Sequence, residues 1–528
     1  MVLEPEAYAA FEAAVGRENI SASPSVTQIY AFNWGMELHN LQNGREFTPF
    51  GTVPAAVILP STAGEVQQVV RLCNQYGVRF KAHSTGFGPW NSVSDPRAVV
   101  LDLRRMNRIL KIDERNLFAA VEPYVTGAQL QAEAIKFGLN CHMPGAGPQV
   151  SPLASSTSMA GPGFTSPETG YAGRNVLGVE WVLPSGEMLR LGSLGVKDEG
   201  RADWFTSDGP GPSLRGIMRG FMGAMGGLGI FTKAAVKLYP FPCTPSWQVA
   251  GNSPTYDFTI PDFMQYHVVD FRTYGGMEEG LRQIEEEEIC FACFHTSTYG
   301  LGAIFSHSVG SFIRGIPATI TVKHPIVIVI AARTKREFDY KEKVLASLLM
   351  KLGGKDLTLS GKIVPKSVSY AEALRSLLGF HGFLIGTSFQ STHGGMETFA
   401  MCINMIQENI PLKKEYIRQK VIGPDKGEGA WGTSYEHGHF FHVEMPTMYD
   451  QTDRRSSQGM VDYMERADRM DRERHFALPF FVVGDAAHDA VGPECSNYQV
   501  WLRRIKESLD PNNISDPGFY ISSRSGGK

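Results

Sequence analysis

The sequence predicts an α+β fold built as two successive bodies. Three observations carry that expectation. From Pro54 to Pro240, short β-favouring runs alternate with amphipathic helical patterns. Between Phe241 and Pro261, "FPCTPSW" and "GNSPTYDFTIPD" break the rhythm with prolines. Beyond the break, apolar strands such as "HPIVIVIAAR" again alternate with long amphipathic helices such as "FDYKEKVLASLLMKLGG". Hydrophobic residues make up 43% of the chain and charged residues 20%, enough for a sizeable core and against global disorder. The expected division is a helical segment over 1–50, a first domain over 51–242, a second over 243–490, and a closing segment over 491–528 that returns to the first domain.

The elements follow in order. "AAVILP" reads as a buried strand, and "TAGEVQQVVRLCNQYG" as a helix with Thr62 and Glu65 in capping-box spacing. "VRFKAHS" is a second strand, followed by "AVVLDL", "NRILKID" and "LFAAVEP". "TGAQLQAEAIKFG" is a helix with Thr126 and Gln129 spaced as a capping box and Gly138 as its stop. "GVEWVLPSGEMLRLG" is a hairpin turning at Pro184-Ser185-Gly186, and "GIFTKAAVKLYP" is a strand. In the second body the acidic run Glu285 to Glu288 belongs to a helix, where a solvated face is expected. The last helix stops at Asp510-Pro511.

Composition excludes several classes. Lysine plus arginine total 50 and aspartate plus glutamate 54, a net charge of −4 with no basic tract, so nucleic acid is not an expected partner. The N-terminal "MVLEPEAYAAFEAAVGREN" lacks the basic and apolar regions of a signal peptide, and "PIVIVIAA" falls far short of the ~20 apolar residues of a membrane span. A cytoplasmic protein without a transmembrane segment is expected. Of seven cysteines, Cys290 and Cys293 form one C-x-x-C in "EICFACFH". With no thioredoxin-like context and no second pair, buried thiols are expected there.

Two loops rich in small residues suggest a nucleotide. "FKAHSTGFGPW" breaks from a strand into glycines, where backbone N–H groups can approach a phosphate. It has no following helix and no third glycine, so it is not the Rossmann fingerprint, and no P-loop motif is present. The second loop lies in "PGAGPQVSPLASSTSMAGPGFTSPETGYAGRNVLG". Together with "VPAAVILPSTAGEVQQVVRLCNQYGVRFKAHSTGFGPW", "AVVLDLRRMNRILKID", "VEPYVTGAQLQ", "GVEWVLPSGEMLRLG", "GGLGIFTKAAVKLYP" and the closing "LDPNNISDPG", the order resembles the FAD-binding domain of the vanillyl-alcohol oxidase and p-cresol methylhydroxylase superfamily. That resemblance implies FAD extended between two α+β subdomains, and a cap with a ferredoxin-like antiparallel sheet over the isoalloxazine. It places Ser84, Thr85, Gly86, Phe87 and Gly88 on the diphosphate. It places Pro144, Gly145, Ser155, Ser156, Ser158, Gly161, Gly173 and Val179 in a second set of contacts, and Gly227, Leu228, Gly229 and Ile230 in the turn that closes the domain. Many relatives attach FAD covalently through a histidine in a Gly-His-Ser context. Here the motif is "AHSTG", so non-covalent FAD is expected, with His83 hydrogen-bonding or structural and a covalent link the alternative.

The flavin supplies the redox step, so the cap must supply substrate contacts and manage a proton. "GTSYEHGHFFHVEMPTMYD" gathers Tyr435, Glu436, His437, His439, His442 and Glu444. If "HFFHVE" is a strand, His442 and Glu444 share one face, and His437 and His439 the other. A second cluster, Asp485, His488 and Asp489, follows an apolar run read as a strand, and His393 is expected in a plain loop. The catalytic candidates are therefore Tyr435, His437, His442, Glu444 and His488.

The resembled family offers two branches. One oxidises 2-hydroxy acids such as glycolate and D-lactate, often with a divalent metal, and carries a G-D-G-N-x-H strand before E-H-G. Here "EHG" at 436–438 precedes "GDAAH" at 484–488 and the asparagine is missing, so the metal's ligands do not carry over by motif, while a divalent metal on the His/Glu clusters stays an alternative to a base. The other oxidises para-substituted phenols and benzylic alcohols through a quinone methide. Its tyrosine and arginine anchors have possible counterparts in Tyr435, Tyr498 and Arg503. A hydroxy acid needs a cation and a base, and a phenol needs donors that stabilise phenolate. The expectation is an FAD-dependent oxidoreductase moving a hydride from a small alcohol or 2-hydroxy acid to flavin N5, with phenol oxidation as alternative. An electron-accepting protein or subunit is a compatible partner, and a homo-oligomer or complex subunit is expected. An electron-transferring subunit without its own substrate site is a further alternative. A metal-dependent hydrolase on "EHGHFFHVE" is disfavoured by the lack of H-E-x-x-H.

Overall fold

The computed structural model describes residues 3–86, 91–145, 147, 149–159, 161–194, 212–244, 249–250, 257–258, 261–298, 300–301, 321–358, 389–479 and 482–523. The first layer is a four-stranded sheet in the order Ile20–Ser21, Ala56–Ile58, Val99–Asp102, Phe80–His83. Its last three strands are parallel, and Ile20–Ser21 joins antiparallel, so the N-terminal segment contributes a strand as well as helices. The helices Pro5–Val15 and Ala63–Tyr76 share one apolar core with this sheet. Thr62 caps the second of them, accepting from the Glu65 amide at 3.1 Å. The Glu65 carboxylate turns instead to the Ser61 amide and hydroxyl, so only half of the expected capping box forms. The box over Thr126 and Gln129 is complete, and Gly138, with φ +68°, stops the 3-10 turn Ile135–Phe137 into which that helix runs.

The second layer is antiparallel, in the order Ile109–Asp113, Phe118–Val121, Ile230–Pro240, Val176–Val182, Met188–Leu191. Leu139–Cys141 pairs with the far end of the long strand Ile230–Pro240. Val176–Val182 and Met188–Leu191 form the hairpin expected around Pro184–Gly186.

The cap is a seven-stranded antiparallel sheet in the order Lys355–Asp356, Met264–Phe271, His324–Ala331, Ala292–Thr296, Trp431–Tyr435, Phe440–Glu444, Gly394–Glu397. Both of its faces are covered. Val269, Phe271, Ile326, Ile328, Phe441 and Val443 pack beneath the helices Tyr274–Glu286, Lys335–Leu352 and Phe399–Arg418. Tyr266, Val268, Phe294, Val327 and Val329 form the opposite face and meet Phe164 and Phe241 of the N-terminal half. Burial on both sides explains why "PIVIVIAA" reads as an unbroken apolar run. Among the described residues, no helix is long and apolar enough to cross a membrane.

Three expectations are corrected. Glu285 is not on a solvated face but fully buried at the end of Tyr274–Glu286, on the stripe of Met277, Leu281 and Ile284. Asp485, His488 and Asp489 lie on a helix, Gly484–Val491, not at a strand end. Gly484, with φ +77°, redirects the chain, and Asp485 sits where the helix dipole favours a carboxylate. His437 and His439 are exposed in the turn before Phe440–Glu444, so they do not share a strand face. His393 lies in a loop as expected, but a buried one, with Asp471 at 3.2 Å and Tyr463 at 3.0 Å.

Candidate active site

The first glycine loop leaves the carboxyl end of the parallel strand Phe80–His83. Gly86 has φ +76°, and a Cβ there would stand 3.0 Å from the His83 ring, so the position suits glycine alone. Asn91 holds the loop by donating to the Gly86 carbonyl at 3.0 Å, and the Ser84 hydroxyl donates to the Pro123 carbonyl. His83 is kept below the ordinary imidazole range, by burial first and against the pull of Asp102. Its Nδ1 is buried with no hydrogen-bond partner among the described residues. Phe87 and Gly88 lie outside the described residues.

The second loop runs close by, because Gly127, a few residues beyond Pro123, donates its amide to the Val150 carbonyl at 2.9 Å. Gly145 donates to the Pro162 carbonyl at 2.7 Å, which folds the loop back on itself after Pro144. Gly161, at φ +59°, would bring a Cβ within 2.8 Å of Ala172. His142 fixes that bend. Its Nε2 meets the Gly161 carbonyl at 2.7 Å and its Nδ1 the Thr169 hydroxyl at 2.8 Å, and burial depresses its pKa to about 4. A carbonyl only accepts, so Nε2 carries the proton of a neutral ring. Ser155 and Ser156 are buried on the helix Pro152–Ser158, and the Ser155 hydroxyl returns to the Ser151 carbonyl at 2.9 Å. Ser158 ends that helix, and Gly173 backs onto the Tyr171 ring. Val179 is different: it lies in the core of the hairpin, its backbone paired to strands on both sides. Gly229 donates to Ser515 Oγ at 2.9 Å, and Ile230 enters the core beneath the first sheet.

The cap meets this loop directly. A Cβ on Gly145 would lie 3.7 Å from the Trp431 ring. Phe164 packs on Phe294 at 4.2 Å and on Trp431 at 5.5 Å, and Tyr171 packs on Tyr435 at 5.6 Å between ring centres. The Glu436 and His437 amides donate to the Ser166 and Pro167 carbonyls. On the same face of the cap sheet, His442 stands opposite Thr433, with Glu444 two residues on. His442 Nε2 and Glu444 Oε1 are 2.9 Å apart, and the imidazole is fully buried. The Trp431 and Tyr435 rings flank it at 5.4 and 6.2 Å. The Tyr435 hydroxyl is buried without a partner among the described residues. Burial, then the Glu444 charge, holds it well above the usual phenol range, so it remains a neutral donor.

The other candidates are not part of this cluster. His488 bonds the Tyr498 hydroxyl, and burial with the Arg503 cation lowers its pKa to about 4. Arg503 is held by Asp489 at 2.6 Å and Asp485 at 3.0 Å, so neither Tyr498 nor Arg503 stands as an idle anchor. Trp431, Tyr171, Phe164 and His142 were not anticipated. The alternation of Trp431, Thr433 and Tyr435 with His442 and Glu444 is the pattern that would have marked the first of them.

The residues present suit a dinucleotide: two loops hold tightly packed glycines, with an orphaned buried imidazole nitrogen beside the first. Comparison with known proteins agrees. Residues 54–192 match the family model of an FAD binding domain. The chain carries an FAD binding domain. It is 28% identical over 196 residues to the glycolate oxidase subunit GlcD of Bacillus subtilis, covering 37% of this chain and 39% of that protein. It is 32% identical over 198 residues to the flavoprotein subunit of 4-cresol dehydrogenase (hydroxylating) of Pseudomonas putida, covering 36% of each. These matches span less than half the length of the curated relatives. The fold likeness extends further: the structure of p-cresol methylhydroxylase with substrate bound superposes with a TM-score of 0.74 at 19% identity, over 99% of this chain and 98% of that one.

Proposed function

We propose that the protein is an FAD-dependent oxidoreductase that takes a hydride from the carbinol carbon of a small alcohol or 2-hydroxy acid. Bound FAD supplies the hydride acceptor, and Ser84, Thr85, Gly86, Pro144, Gly145, Ser158 and Gly161 are the residues that would hold it. The supporting observation is the buried His442 paired with the partly exposed Glu444, on the cap face turned toward the FAD-binding half. Hydride loss from an alcohol requires removal of the hydroxyl proton. In this reading the proton passes to the His442 imidazole, and Glu444 stabilises the resulting cation through the 2.9 Å Nε2···Oε1 contact. Tyr435 donates a hydrogen bond to the substrate oxygen, and Trp431, Phe164 and Tyr171 exclude water.

A second reading has its own support. The same wall is aromatic, and a buried neutral tyrosine hydroxyl suits the oxygen of a phenolate, as in oxidation of a para-substituted phenol. The structural relative carries substrate of that class by its description.

One experiment separates them. The purified protein should show flavin bands near ~370 and ~450 nm. Under anaerobic conditions, glycolate, D-lactate, a benzylic alcohol and a 4-alkylphenol are added in turn. Bleaching by a hydroxy acid or alcohol supports the first reading, and bleaching by the 4-alkylphenol alone supports the second. A flavin that none of them reduces, but that an added partner protein reoxidises after chemical reduction, would favour an electron-transferring subunit.

A further inference from the structure

On the opposite face of the cap sheet, Glu285, Cys290 and Cys293 converge. Glu285 ends the helix Tyr274–Glu286, Cys290 lies in the following loop, and Cys293 is on the strand Ala292–Thr296. One carboxylate oxygen and both sulfurs lie within 4.8 Å of one another. Buried thiols alone would need no explanation, but the carboxylate does. Glu285 is fully buried, and the donors beside its oxygens are the Ser434 hydroxyl and the Cys293 thiol, neither in good hydrogen-bond geometry. A buried carboxylate held only by such weak donors is unfavourable unless it is neutralised or finds a stronger partner. The Ser434 hydroxyl is fully buried as well, and both it and the thiol favour the charged carboxylate less than burial opposes it.

We propose that Glu285, Cys290 and Cys293 bind one Zn²⁺ ion, with the Ser434 hydroxyl or a water as fourth ligand. Two thiolates and a carboxylate suit zinc, a borderline-soft ion that is tetrahedral in structural sites. Zn–S bonds of about 2.3 Å hold two sulfurs roughly 3.8 Å apart, inside the observed spacing. Binding displaces the thiol protons and any proton on Glu285 to solvent, and no electrons move. Without metal, burial favours the protonated forms, pushing Glu285 up to about 8 and the Cys293 thiol well above its usual value. Cys290 is only half-buried and gives the ion a way in. The ion would tie the end of one helix to the strand that pairs with Trp431–Tyr435, stiffening the sheet behind the candidate active site.

The test uses the full flavin-loaded chain, chelated and then titrated with Zn²⁺ alone. About one zinc per chain should be retained after gel filtration, and Cys290→Ser or Glu285→Gln should weaken binding by at least ~10–100-fold. X-ray absorption on the unsubstituted protein should show two sulfur neighbours at about 2.3 Å, a readout that no misfolded variant confounds. A shell of oxygen and nitrogen only, zinc retention unchanged by both substitutions, or an intact mass showing a Cys290–Cys293 disulfide would each overturn the proposal. Because the readout is metal content, it stands apart from whether the flavin reaction is confirmed.

Discussion

At the scale of single residues, the proposed chemistry turns on His442. The histidine sits at 2.9 Å from Glu444 and between two aromatic rings, so replacing it should leave the fold and the flavin alone. His442→Gln is expected to slow flavin reduction by substrate ~10²–10⁴-fold, the usual contribution of a positioned base. Glu444→Gln should slow it less, since the ring stays in place. Stopped-flow bleaching of the bound flavin measures both, and unchanged rates in both variants would remove the pair from the chemistry. Gly86 offers a complementary test of the cofactor cradle. Its φ of +76° and the 3.0 Å approach to His83 mean that Gly86→Ala adds about 1–2 kcal/mol of strain. FAD should then dissociate roughly 5–30-fold more readily, as read by recovery of free flavin fluorescence, with little change in substrate preference.

At the scale of elements, the cap carries a pH-sensitive tie. His267, on the strand Met264–Phe271, meets Asp356 at 2.7 Å through Nδ1 and Glu342 of the helix Lys335–Leu352 at 3.0 Å through Nε2. Burial pulls the imidazole pKa down, but the two carboxylates outweigh it and raise it to about 9. A folded-state pKa above the unfolded 6.5 means stability that is complete below about 6.5 and lost as pH rises through about 9. Cap unfolding in urea should therefore become easier between those values, and His267→Gln should flatten the dependence. The same elements show what local sequence could reveal. Thr126 and Gln129 form their capping box because the interaction is confined to four neighbouring residues. Glu285 was misread because charge suggests solvent, whereas its place on the stripe of Met277, Leu281 and Ile284 is set by the sheet beneath the helix. The His442–Glu444 face was legible from strand alternation, while the neighbouring His437 was not, because the position of a turn is fixed by pairing with Trp431–Tyr435. Trp431 and Tyr171 escaped notice for a related reason. Their meaning lies in a contact between two halves of the chain that no local pattern records.

At the scale of the whole molecule, the closing segment clamps both layers of the FAD-binding half. The Phe80 amide donates to the Ile514 carbonyl at 2.9 Å, and the Asp516 amide to the Phe80 carbonyl at 3.1 Å. Ser515 Oγ donates to the Gly226 carbonyl at 2.7 Å, and the buried Lys506 ammonium reaches the Gly227 carbonyl at 2.6 Å. The strand that launches the first cofactor loop and the turn that closes the second layer are thus held by residues nearly three hundred or more positions away. At the centre lies a buried ion pair, Lys81 with Asp516, in which both side chains are under 5% exposed. Removing one partner leaves the other charge buried alone. Asp516→Ala is therefore expected to cost about 3–5 kcal/mol of stability in urea unfolding. Lys81 stands two residues before His83, so FAD retention should fall with it. The double variant Lys81→Met with Asp516→Leu removes both charges and should recover most of that loss, because a well-packed apolar pair often matches a buried ion pair. A single variant that loses less than about 1 kcal/mol, the value of an exposed pair, would show that the closing segment rests on the fold rather than holding it. If the double variant instead recovers stability but not FAD retention, the ion pair would be positioning the cofactor strand rather than stabilising the chain.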